Sequence, residues 1–105
     1  MTKPDVARAL ARLGISEEIY NELFNDFLVM AREKASELER AVAGANLPQA
    51  AKIAHSIKGS AANLGADTIA DIARLVEGAS AKGIATTEIT ENVKALALCI
   101  EAFSS

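Results

Sequence analysis

From Ile19 onward the apolar residues Leu23, Phe24, Phe27, Met30, Ala31, Leu38 and Val42 recur at intervals of three and four. That is the period of one helix face, and it is sustained too long for a strand. The segment therefore predicts a long amphipathic helix, the longest element of the chain, and the rest of the fold has to pack against it. Ser16 is placed to cap it, with Glu17 and Glu18 at the positive end of its dipole. Ile15 and Tyr20 are spaced as a hydrophobic staple across that cap, and Gly44 stops the helix.

Three more helices follow. One is expected from about Leu47, with Pro48 in its first turn, to Leu64, with Gly65 as a left-handed terminator. The next begins near Ala66 or Asp67, turns Ile69, Ile72, Ala73 and Val76 inward and ends before Gly83. The last starts at a Thr86 or Thr87 cap and uses Ile89, Val93, Leu96, Ile100 and Phe103 as its stripe. Before the long helix, Thr2 and Asp5 resemble a capping box, and Gly14 can end a short helix. Brief connections favour antiparallel neighbours. The expected fold is all-α: an antiparallel four-helix bundle whose end is closed by a short extra N-terminal helix, with residues 1–105 forming a single domain.

Composition agrees and narrows the function classes. Apolar residues are 50% of the chain but aromatics only 4%, so the core is built mainly of alanine, leucine and isoleucine. A net charge of -3 leaves no basic stripe for a phosphate backbone, which argues against nucleic acid and for a protein partner. Cys99 is the only cysteine and reads as a buried helix residue; a lone thiol gives neither a disulfide nor a zinc cluster, so a reducing, cytoplasmic setting is expected. No stretch approaches the ~20 apolar residues of a membrane span. With one His and no HExxH, no metal site is expected, and neither is a catalytic enzyme.

The informative stretch is Ala54-His55-Ser56-Ile57-Lys58-Gly59-Ser60-Ala61-Ala62-Asn63-Leu64-Gly65. At about 100° per residue, Ile53, Ile57, Ser60 and Leu64 form the inward stripe, with Ala50 and Ala61 flanking. His55 then lies about 160° or more from the centre of that stripe and faces solvent. Its helical neighbours are Ala51, Lys58, Gly59 and Ala62, three of which have almost no side chain. They form a low platform on which a partner can approach closely. Gly59 in mid-helix costs about 1 kcal/mol against alanine, with no capping role to explain it.

A neutral imidazole is a competent nucleophile near pH 7 and can take a phosphoryl group as a phosphoramidate. Lys58, one turn away, can offset the added negative charge as a flexible point charge. An excess of apolar width at Phe24, Phe27, Leu28 and Met30 suggests that one edge of the long helix is exposed beside His55 as the apolar part of a docking surface, with Lys34 at its rim. Asn63 is placed to cap the end of the third helix.

The stretch resembles the histidine phosphotransfer (HPt) domain family, whose motif is a His, a Lys three on, a Gly four on and a second Gly ten on. Those are His55, Lys58, Gly59 and Gly65 here, and the likeness in helix order extends over roughly Ser16 to Phe103. The resemblance implies a phosphocarrier of a two-component phosphorelay. His55 would exchange a phosphoryl group with the aspartate of a response-regulator receiver domain, or accept one from a sensor histidine kinase. No cofactor is expected on this chain; Mg²⁺ and most catalytic groups would come with the receiver. Many HPt domains have Gln at the position of Glu77, where a Glu is similar instead to the phosphoacceptor domain of chemotaxis-type kinases and accepts a hydrogen bond from the imidazole. Glu77 is thus a candidate partner of His55. A monomer is expected. The competing reading is a helical interaction module that binds a receiver or kinase without carrying phosphate.

Overall fold

The computed structural model describes residues 6–83 and 86–104. Five helices follow in order: α1 Val6–Leu13, α2 Glu17–Ala43, α3 Leu47–Asn63, α4 Asp67–Lys82 and α5 Thr86–Ser104. Helices α2 to α5 pack as a ring, α2 on α3, α3 on α4, α4 on α5 and α5 back on α2. Short loops make consecutive helices antiparallel, so this is the expected all-α four-helix bundle. Its core runs along the axis through Leu38, Ile57, Ile69, Val76, Ile89, Leu96 and Ile100, all shut off from solvent. Cys99 is buried among them.

The punctuation residues act locally as their chemistry dictates. The Ser16 hydroxyl accepts from the Ile19 amide at 3.3 Å. Gly14, Gly65 and Gly83 take left-handed backbone angles at the ends of α1, α3 and α4. The end of α2 differs from expectation, because the left-handed residue is Ala45 (φ 55°) while Gly44 keeps a negative φ of -86°. Asn46, which periodicity does not reveal, caps α3 by accepting from the Gln49 amide at 3.3 Å. Helix α3 ends at Asn63, one residue before Leu64, and the main chain beyond it rather than the Asn63 side chain closes the turn. The capping box at Thr2 and Asp5 and the side chain of Thr86 lie outside the described residues, and α5 already includes Thr86 and Thr87 in its first turn.

One stripe is rotated from its expected place, and a second gains one member and loses another. On α2, Ile19 and Leu23 are largely exposed, and Tyr20, Phe27, Leu28, Ala31, Ala35, Leu38, Ala41 and Val42 are buried. Tyr20 sets this rotation: its hydroxyl donates to the Leu64 carbonyl at 2.5 Å, and its ring stacks on Phe24. Burial pushes that phenol's pKa up. On α3, Ile53, Ile57 and Leu64 are buried as expected, with Ala50 and Ala61 flanking; Ala54 joins them, while Ser60 is only half-buried. Alanine fits where helices approach closely, so the face of nearest contact is centred on residues that a reading of large apolar side chains passes over.

Helix α1 lies across one end of the bundle. The Arg12 guanidinium donates to the Ala62 carbonyl at 2.8 Å and to that of Asn63, and Arg8 pairs with Asp67 at 2.5 Å. These contacts tie α1 to the last turn of α3, where the Ala62 carbonyl also accepts from the Gly65 amide. They make α1 the closure expected of it.

Candidate functional site

His55 sits near the middle of α3, fixed by the burial of Ala54 before it and Ile57 after it. Its side chain is 67% exposed. Of the expected platform, Gly59 and Ala62 are exposed and Ala51 is half-buried. A Cβ added to Gly59 would meet nothing within 4 Å, so internal packing gives no reason for glycine there. Lys58 and Gly59 open onto a groove between α3 and α4 that continues past Ala62 to Asp71 and Arg74. On the other side of α3, a second groove is lined by Leu23, Phe27, Met30, Ser60 and Leu64. Of the four residues expected to widen the apolar edge of α2, Phe27 and Leu28 are buried in the core and Phe24 and Met30 are half-buried. Lys34 is half-buried and pairs with Glu37 at 3.8 Å instead of standing alone at the rim.

Glu77 is brought to α3 by the packing of α4, which buries Ala73 and Val76 and leaves Glu77 one position round, at the seam. One carboxylate oxygen, Oε2, lies 2.7 Å from His55 Nδ1. The other, Oε1, accepts from Lys58 Nζ at 2.6 Å. Lys58 is thus not the free point charge expected from its spacing; it is held, and only 30% of its side chain is exposed. The Glu77 carboxyl lies below its ordinary pKa, first because of the Lys58 hydrogen bond, which outweighs the opposing effect of desolvation, and further because of the bond to His55. An ionised carboxylate can only accept, so a neutral ring bonded this way would donate from Nδ1 and keep its lone pair on Nε2.

The geometry holds Nδ1 against a carboxylate, leaves most of the ring exposed and places a cation one helical turn away. Among the described residues no group of three or more His, Cys, Asp or Glu side chains could hold a metal ion. None of their helices is long and apolar enough to cross a membrane.

Residues 22–105 match the model of the Hpt domain, and the chain belongs to that family. Hpt domains are phosphocarriers of two-component signalling that interact with receiver domains and kinases, and they are not catalytic enzymes. The matched span leaves out α1, Ser16 and Tyr20. Comparison with curated proteins and comparison with solved structures each gave no match.

Proposed function

We propose that His55 is the phosphoacceptor of this chain and that Nε2 is the atom that takes the phosphoryl group. The exposed ring with its Nδ1 held at 2.7 Å by Glu77 carries this reading. In transfer from a receiver, Nε2 attacks the phosphorus of the aspartyl phosphate, the Nε2–P bond forms, and the O–P bond breaks with its electron pair leaving on the aspartate. Lys58 can leave Glu77 to meet the incoming charge, since both lie at the seam beside the ring. Gly59, Ala62 and Ala51 are the platform on which the receiver settles, and the receiver brings the Mg²⁺. A sensor histidine kinase is the other donor.

We further propose that α1 works in one unit with the bundle, joined by Arg8 and Arg12, and that the protein acts as a cytoplasmic monomer without a cofactor of its own.

Incubation with a phosphorylated receiver tests the reading. Acid-labile label should appear on the wild type and be absent from His55→Gln. A charge-assisted hydrogen bond is worth about 1.5 kcal/mol, so Lys58→Ala should load about tenfold more slowly with its helical circular dichroism unchanged. A receiver that binds but never labels His55 would favour the interaction module without phosphate.

A further inference from the structure

The bond between Glu77 and His55 also bears on the step by which a phosphoryl group leaves. This inference rests on His55 being the phosphoacceptor. When Nε2 has taken the group, Nδ1 still carries its proton, and Glu77 Oε2, 2.7 Å away in the free protein, is placed to go on accepting it. A phosphoimidazole gives up its phosphoryl group readily while that proton is present, because the leaving group is then a neutral imidazole. Without the proton it would have to leave as an imidazolide anion, a far poorer leaving group.

We propose that Glu77 is a positioning residue for release: it holds the Nδ1 proton on the phosphorylated ring, so that phospho-His55 stays ready to transfer through neutral and mildly alkaline pH. The step balances without a proton from solvent. An acceptor oxygen, from a receiver aspartate or from water, attacks phosphorus; the Nε2–P bond breaks, its electron pair stays on Nε2, and the ring is left neutral with Nδ1–H still donating to Glu77. Where water is the acceptor, its proton leaves with the phosphate or to solvent.

Charge around the pair suits this role. Among the described residues, Lys58 and His55 are the charged or titratable groups that act on Glu77. In the free protein Lys58 occupies Oε1, which leaves Oε2 for the ring; turned to the phosphoryl group, its charge tempers repulsion between that group and the carboxylate. Arg74, one turn before Glu77 on α4, is turned to Asp71 at 3.1 Å. Lys34 of α2, the other helix packed on α3, is turned to Glu37 at 3.8 Å. Lys52 of α3 is exposed, one turn before His55. On α5, packed against the far side of α4, Lys94 lines a groove with Glu39.

The test charges full-length wild type and Glu77→Gln with phosphoramidate, a small phosphodonor that needs no cognate partner. Ring ¹⁵N shifts and the ³¹P signal are then followed between about pH 6 and pH 9, a range that brackets ordinary imidazole titration. Glutamine keeps a carbonyl acceptor but removes the charge, and circular dichroism checks that its helices are intact. In the wild type the Nδ1 proton should persist, and the rate of phosphoryl loss should change less than about twofold from pH 6 to pH 8. In Glu77→Gln the proton should be lost over that interval and release should slow about tenfold, the effect of removing one opposite charge beside a titrating group. Label on His55 with superposable profiles would overturn this inference and leave the carrier reading standing. A wild-type His55 that takes no label would overturn both.

Discussion

Helix α3 is built from small residues on both its inner and its outer face, for opposite reasons. Inside, Ala50, Ala54 and Ala61 have no exposed surface because neighbouring helices lie against them. Outside, Ala51, Gly59 and Ala62 surround His55, and at Gly59 an added Cβ would touch nothing. The inner residues are small because something within the molecule is already there. The outer ones leave room for something that has yet to arrive. Small size alone does not separate the two; what separates them is whether enlarging the residue harms the fold or harms an encounter.

Substitution along one helix turns that contrast into measurements. The largest effect on stability belongs to Ala54→Leu, because three more carbon atoms have no space at a position with 0% exposure. Overpacking of this kind costs about 1–3 kcal/mol, and urea denaturation should show the midpoint falling with the slope unchanged. A variant as stable as the wild type would mean that the inner face is looser than its burial implies. Gly59→Gln should move stability the other way, by up to about 1 kcal/mol, since glutamine is the better helix former. It should nonetheless weaken receiver binding about tenfold, which corresponds to about 1.4 kcal/mol and can be followed by titration calorimetry. Normal binding by Gly59→Gln would remove the outer platform from the comparison.

The same two faces show what could be read in advance. Helical angle alone turns His55 outward, because Ile53, Ile57, Ser60 and Leu64 mark the opposite side of the helix. Periodicity does not give the rotation of α2 at Ile19 and Leu23: leucine and isoleucine mark a buried face only on average, and here the Tyr20 bond to the Leu64 carbonyl and the close-packed Ala35 and Ala41 decide it. Asn46, standing two residues before Pro48, is a cap signal that the sequence carries outside its apolar periodicity. The Glu77 contact with His55 was suggested by family likeness and not by periodicity. Its second bond, to Lys58, depends on how α4 is rotated against α3, which no pattern within one helix specifies. The grip of Arg12 on the last carbonyls of α3 is equally a matter of tertiary placement.

A third reason for small size operates at helix ends, and it supplies the smallest of the expected effects. After α2, Asn46 N bonds the Ala41 carbonyl at 2.8 Å and Ala45 N that of Val42 at 3.0 Å. After α3 the same pair of bonds recurs, Ala66 N to Ala61 at 2.9 Å and Gly65 N to Ala62 at 3.2 Å. Both ends share the Schellman arrangement, yet the left-handed residue is glycine in one and alanine in the other. A left-handed alanine costs about 1–2 kcal/mol through its Cβ, whereas glycine gives back about 0.4–1 kcal/mol by loosening the unfolded chain. Ala45→Gly should therefore stabilise the protein by about 0.5 kcal/mol, and raise the thermal midpoint by about 2–4 °C for a domain of this size. Because Ala45 lies on the loop between α2 and α3, away from His55, phosphoryl loading should not change. A lower midpoint would show that the α2 terminus draws stability from the alanine methyl, and the two helix ends would then differ in packing as well as in sequence.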